Sequence, residues 1–282
     1  MKPDTRFAAL TGLPRSGSTL CCHLVNAAAQ AVALVEPMNV DALDPSDRRR
    51  AVAQALDYFR AMYDSLLSHG TAETQHSGGK VTDNPYGGLR ADGTRERRME
   101  HGRIRFDKPL QDGFLLMIKH NSAYAALLPE LDAAVSVFGL VRNPLAVLAS
   151  WHSVPIPPSR GRVAAGERLD RRLEMRLDSE PDLIGRQLIA MDWFFERYRA
   201  HLPEARILRY EEIVASQGAS LLWTLGLEAA PRPLRERNAS RDYAAVDVDT
   251  LYRRLLASEG AYWSFYSRED VAATHERMLR ER

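Results

Sequence analysis

Apolar and polar positions alternate along this chain in two rhythms. Short apolar runs come first: Phe7-Ala8-Ala9-Leu10-Thr11 stops at Gly12, and Val32–Val35 stops at Glu36-Pro37. Runs this short, bounded by turn residues, read as buried strands. Phe114–Lys119, Val135–Val141 and Arg206–Tyr210 repeat the pattern, as expected of parallel strands covered on both faces. Between them the period lengthens. Thr19–Asn26, 46–69, Ser122–Leu131, Pro144–His152 and Pro181–His201 place apolar residues at helical spacing. Leu56, Phe59, Met62, Tyr63, Leu66 and Leu67 form one stripe, with Ser46 or Asp47 available as a cap. A final charged amphipathic helix is expected over Arg268–Arg282. Strands alternating with helices predict an α/β domain with a central parallel sheet and helices on both faces.

Two stretches break the alternation. Residues 70–112 carry Gly-Gly pairs, Asn84-Pro85 and many charges, and predict irregular or hairpin structure. Residues 153–180, opened by Pro155, Pro157 and Pro158, read as a second long loop. No repeat or linker divides the 282 residues, so one domain is expected.

Charge narrows the function classes. Lys and Arg total 38 against 37 Asp and Glu, which argues against coating nucleic acid by bulk charge and leaves room for a local anion site. Only Lys2, Lys80, Lys108 and Lys119 are lysines, so the arginine bias is a feature of the whole composition. The two cysteines, Cys21 and Cys22, are adjacent, which excludes a disulfide framework and a cysteine zinc site. No apolar window is long enough for a signal peptide or a membrane span, and a cytoplasmic protein is expected. Near the C-terminal end, Tyr262–Tyr266 is aromatic-rich, and with so little net charge it is expected to pack in the core or wall a cleft rather than to stack on bases.

The chemistry begins at Gly12-Leu13-Pro14-Arg15-Ser16-Gly17-Ser18-Thr19, between the first strand and the first helix. Glycine permits the tight turn. Successive backbone N–H groups and the helix N-terminus form an anion cradle. The spacing is that of a phosphate-binding loop, G-x-x-x-x-G-K-[ST], except that Ser18 stands where the lysine belongs. That lysine reaches the terminal phosphates of ATP, so its loss counts against a magnesium-dependent kinase or NTPase. The positive charge sits earlier, at Arg15. A second element, Val141-Arg142-Asn143-Pro144, runs from a strand end into a helix, with Ser150 eight residues beyond Arg142. Ligands of open α/β sheets lie at such strand ends, and the arginine fork with the serine hydroxyl could converge on a second phosphate.

Taken together, these residues resemble the sulfotransferases that use 3′-phosphoadenosine 5′-phosphosulfate (PAPS). The family's first loop, T-x-P-[KR]-S-G-[ST]-T, is matched by Thr11–Thr19, and its R-[ND]-P element with the later serine by Arg142-Asn143-Pro144 and Ser150. Met117–His120 and Leu127–Pro129 are similar to the segment that precedes that element, and Arg209–Val214 to its Y-E-[DE] strand end. The markers span about residues 7–214 and leave 70–112 and 153–180 unmatched.

The resemblance implies a P-loop-type three-layer fold that moves a sulfuryl group from PAPS to a hydroxyl or amine, with 3′,5′-ADP as product and no metal. It implies that Pro14, Arg15, Ser16, Gly17, Ser18 and Thr19 hold the 5′-phosphosulfate. Arg142 and Ser150 would hold the 3′-phosphate, Tyr210 would face the adenine, and Arg237-Asn238 would fall in a loop that closes over the nucleotide. Catalysis would use Arg15 on the leaving oxygen and a base, Glu36 at the end of the second strand or else His120 after Lys119. The expected partner is a small-molecule or carbohydrate acceptor, without nucleic acid or membrane. The rival classes are the magnesium kinase or NTPase and a nucleotide-binding protein without catalysis.

Overall fold

The computed structural model describes residues 4–90, 95–228 and 230–281, apart from the side chains of Asp4, Thr5 and Leu89. Its centre is five parallel strands. Strands β1 (Asp4–Gly12), β2 (Ala31–Val35), β7 (Leu115–Lys119), β8 (Val135–Val141) and β9 (Ile207–Arg209) lie in the order β2-β7-β1-β8-β9. Strands β3 (Thr71–His76) and β6 (Glu100–Arg105) pair antiparallel beside them, as do β4 (Tyr86–Leu89) and β5 (Arg95–Arg97). The expected α/β class is therefore present, and the expected hairpin character of 70–112 is found in these two pairs.

The sheet has two covered faces because side chains alternate along each strand. Phe7, Ala9, Val32, Leu34, Leu116 and Ile118 point into one core. That core is closed by α2 (Arg48–His69), α3 (Asn121–Ala126), α4 (Leu128–Asp132), α5 (Pro144–His152) and α8 (Leu183–His201). Ala8, Leu10, Ala33, Val35 and Met117 point into the other, closed by α1 (Ser18–Val25), α9 (Tyr210–Ala215) and α10 (Ala219–Thr224). Helices α11 (Val248–Leu256) and α12 (Arg268–Arg280) pack outside α5.

Local chemistry sets the element ends. Asp47, rather than Ser46, caps α2 by accepting from the Arg50 N–H at 3.1 Å. Ser267 and Asp270 form a reciprocal capping box at α12.

Several expectations need correction. The stretch 153–180 is not one long loop: it holds α6 (Ala164–Leu169) and α7 (Arg171–Ser179). Helix α7 buries Leu173 and Leu177 alone among charged residues, a stripe too narrow to stand out in the sequence. The helix expected over Ser122–Leu131 is two helices, broken at Leu127, where Pro129 belongs to the first turn of the second. The strand expected over Arg206–Tyr210 ends at Arg209, and Tyr210 opens α9.

Strand register then aligns the site. Leu10 pairs with Lys119, Val35 with Lys119, Gly12 with Leu140, and Val141 with Arg209. All five carboxyl ends thus share one sheet edge. The residues immediately beyond them are Leu13, Glu36, His120, Arg142 and Tyr210.

Candidate functional site

The glycine loop is shaped by two left-handed residues. Arg15 has φ 71° and Gly17 has φ 102°. Gly17 is required on two counts. Its φ disfavours any side chain, and a Cβ there would stand 2.8 Å from Cδ2 of Tyr210. Gly17 also caps α1 without a side-chain acceptor or charge of its own. The N–H groups of Ser18 and Thr19 follow in the first helical turn, where no preceding carbonyl can accept them. Ser16 lies fully buried at the base of the loop, and its Oγ has no hydrogen-bond partner among the described residues.

Long-range contacts hold the loop in this shape. The indole Nε1 of Trp151 donates to the Pro14 carbonyl at 2.7 Å, and Nη1 of Arg142 donates to the Arg15 carbonyl at 2.7 Å. Trp151 is fully buried in α5, so packing and loop support are one role. The Arg15 guanidinium donates from Nε to Ser150 Oγ at 3.1 Å and lies over the Tyr86 ring at 4.7 Å. Burial brings Arg15 down to about 10, which leaves it charged near neutrality.

Arg142 is the hub. Its Nε donates to Asn238 Oδ1 at 2.8 Å, and its Nη2 to the Arg237 carbonyl at 2.6 Å and to the Tyr243 hydroxyl at 3.3 Å. Its guanidinium lies 4.5 Å from the Tyr210 ring centre. With the bond to Arg15, four of its five N–H donors serve the protein among the described residues, and one on Nη1 remains. Tyr210 accepts from the Arg237 N–H at 3.0 Å, so it both floors Arg142 and fixes the late loop. Glu211 secures the same assembly from behind: it accepts from the Asn143 N–H at 2.9 Å, from Asn238 Nδ2 at 2.7 Å and from the Tyr266 hydroxyl at 2.8 Å.

These groups border one cavity of about 610 Å³, within the range of small-ligand sites. Arg15, Gly17, Ser18, Thr19, Glu36, Arg142, Tyr210 and Arg237 all line it, together with Pro14. Ser150 and Asn238 stand behind it, each touching a lining arginine. Seven cationic side chains face the cavity (Arg15, Arg95, Arg97, Lys119, Arg142, Arg235, Arg237) against three carboxylates (Glu36, Asp83, Asp242). One of those carboxylates is spent on Arg95, at 2.9 Å from Asp242. The balance favours an anionic ligand.

Glu36 stands at the far end of this cavity with φ 44°, a strained value for a residue bearing a side chain. Its N–H donates to the Lys119 carbonyl at 2.8 Å. Its carboxylate takes Lys119 Nζ at 2.5 Å and Gln75 Nε2 at 3.0 Å. Burial alone would raise the carboxyl, but the Lys119 ammonium, aided by His120 and Arg97, outweighs it and holds Glu36 at about 2. Turned to satisfy both ends, the Asn121 amide accepts from Lys119 Nζ at 3.3 Å and donates to the Gly12 carbonyl at 3.2 Å. It ties the Glu36 end to the base of the glycine loop.

His120 is placed differently. It is buried, and its Nε2 accepts from the Met38 N–H at 3.2 Å. Burial pushes the ring down to about 3, so it is neutral near pH 7. It does not line the large cavity but a smaller one of about 290 Å³, which it shares with Glu36.

Sequence reasoning gave no role to Gln75, Tyr86, Arg95, Glu211, Asp242 or Tyr243. Tyr86 and Arg95 lie in 70–112, which carries no periodic pattern, and Arg95 is one arginine among many. Glu211 follows Tyr210 in a strand-end motif, and that adjacency was its one signal. Among the described residues no cluster of three or more His, Cys, Asp or Glu is placed to hold a metal, and no helix is long and apolar enough to cross a membrane. Compared with models of known protein families and with curated proteins, the chain matches none.

Proposed function

We propose that this protein is a PAPS-dependent sulfotransferase. One observation carries the reading: the glycine loop and the Arg142 strand end, distant in sequence, meet in a single cavity with a cationic lining and a carboxylate at its far end. The donor set suits a nucleotide bearing two anionic groups. The first-turn N–H groups of α1 and Arg15 would hold the 5′-phosphosulfate, whereas Ser16, expected among these contacts, is buried beneath the loop and does not line the cavity. The remaining Arg142 N–H would meet the 3′-phosphate, with Ser150 orienting Arg15 beside it. Tyr210 offers a ring face to the adenine, and Arg237-Asn238 fasten the loop that covers it.

When bound, PAPS supplies a sulfuryl group and a phosphate leaving group. The protein's tasks are to stabilise charge on the leaving oxygen and to accept the acceptor's proton. Arg15, the Ser18 and Thr19 hydroxyls and Lys119 serve the first. Glu36 serves the second: it is ionised near neutrality and reaches the cavity, whereas the His120 Nε2 lone pair is occupied by Met38. An anion beside Lys119 draws its ammonium from Glu36 and lets the carboxyl rise toward the ordinary range, which strengthens the base.

The reading is tested by thermal shift with 3′,5′-ADP and with ATP plus magnesium. Ligand at 100 times its Kd adds about 2.7 kcal/mol, a rise of roughly several degrees in a chain of this size. A shift with 3′,5′-ADP, lost in Arg142→Ala, is expected. A shift with ATP–magnesium alone overturns the reading in favour of a kinase or NTPase. Binding of 3′,5′-ADP without sulfuryl transfer to any acceptor leaves a binding protein.

A further inference from the structure

The smaller cavity lies across Glu36 from the glycine loop. It shares Glu36, Gln75, Asn121, Ser122 and Ala165 with the large cavity, so the two meet at the carboxylate. Its character is different. No lysine or arginine lines it, and its only ionised group near neutral pH is Glu36 itself. Asn39 and His120 join the shared amides and hydroxyl as polar groups, and Met38, Val40 and Ala123 form an apolar wall. Its volume of about 290 Å³ equals roughly ten water molecules at about 30 Å³ each.

We propose that this second cavity is the acceptor site and that it selects an uncharged, polyhydroxylated molecule about the size of one monosaccharide ring. The proposal rests on the sulfotransferase reading above. An anionic acceptor would face the Glu36 carboxylate, where Lys119 is already paired and no lysine or arginine lines the cavity, and the cationic cavity next door would compete for it. A plain phenol would meet only one of the polar groups on that rim, whereas a hydroxylated ring can meet several, Asn39 and Ser122 among them. An apolar wall beneath a ring and polar groups around its rim suit a sugar or cyclitol. Placed there, an acceptor hydroxyl has Glu36 on one side and the large cavity beyond it. Its oxygen forms a bond to sulfur, the bond from sulfur to the nucleotide phosphate breaks with its electron pair left on the phosphate oxygen, and the hydroxyl proton passes to Glu36.

The test uses full-length protein saturated with 3′,5′-ADP and saturation-transfer NMR of added acceptors. The panel holds methyl α-glucoside and myo-inositol, their phosphates, 4-nitrophenol and a tyrosine peptide. Signal is expected from the neutral polyols and at least tenfold less from the phosphates. Val40→Trp, which fills the small cavity alone, should remove the polyol signal while the 3′,5′-ADP thermal shift persists. Asn39→Lys, at an exposed position, should turn preference toward the phosphates and keeps the test alive if Val40→Trp does not fold. Preference for a phosphate, the phenol or the peptide in wild type overturns the proposal, as does silence across the panel. Failure of 3′,5′-ADP to bind at all instead fails the sulfotransferase reading, and the acceptor site with it.

Discussion

The Arg142 guanidinium donates to the backbone carbonyl of Arg15 at 2.7 Å. That carbonyl belongs to a residue in the left-handed region, so the bond stabilises a conformation that costs on the order of 1–3 kcal/mol on its own. The strand end of β8 thereby sets the shape of the loop after β1. Arg142 shapes the loop through this bond, apart from any charge it offers a ligand.

Arg142→Ala should therefore cost more than a ligand contact. It strands the Asn238 amide oxygen and two carbonyls in a buried place, and a loss of about 1–3 kcal/mol for each acceptor left without a partner is expected. Urea unfolding measures this. Arg142→Lys keeps the charge and loses the fork, so it should recover little of the 3′,5′-ADP shift.

Gly17→Ala meets both a left-handed φ of 102° and a contact of 2.8 Å with the Tyr210 ring. A loss of about 1–3 kcal/mol is expected, with 3′,5′-ADP binding weakened at least tenfold. Ordinary binding in this variant, measured by calorimetry, would show that the loop is not the anion site.

Glu36→Gln should lower turnover by about 10²–10⁴-fold, the usual range for a general base, and leave 3′,5′-ADP affinity within a few-fold. His120→Gln should change turnover far less. The opposite ranking in a sulfate-transfer assay would move the base to His120.

Acid stability separates the same two groups. The His120 folded value of about 3 lies below its ordinary 6.5, so the unfolded chain takes up the proton first and stability falls as pH drops from about 6.5. Glu36, at about 2 against an ordinary 4.5, contributes stability above 4.5 that is lost as pH falls toward 2. Denaturation midpoints against pH should flatten between about 6.5 and 3 in His120→Gln and between about 4.5 and 2 in Glu36→Gln, so the interval from 6.5 to 4.5 reports His120 alone.

Much of this was legible in the sequence, for identifiable reasons. Val135–Val141 and Pro144–His152 have the expected bounds because apolar runs and a helix-opening proline mark them directly. The glycine loop and Arg142 were legible because each sits where a strand changes into a helix. Arg95, Tyr86 and Gln75 were not, since they act from β3, β4 and β5, which lie outside the strand–helix alternation. Ser150, expected beside Arg142 on a phosphate, stands behind the cavity instead, and its contact was not legible. It meets Arg15, a partner that spacing along one helix does not reveal.

The loop's supports have a consequence for biosynthesis. Pro14 and Arg15 are fixed by Trp151 and Arg142, which are 137 and 127 residues further along the chain, and Arg142 in turn by Asn238. Closing contacts of such separation is slow compared with forming local turns. A nascent chain on the ribosome carries the glycine loop well before its supports, and the loop has its full set of supports only once Asn238 has emerged. On the sulfotransferase reading, nucleotide capture waits for those later residues.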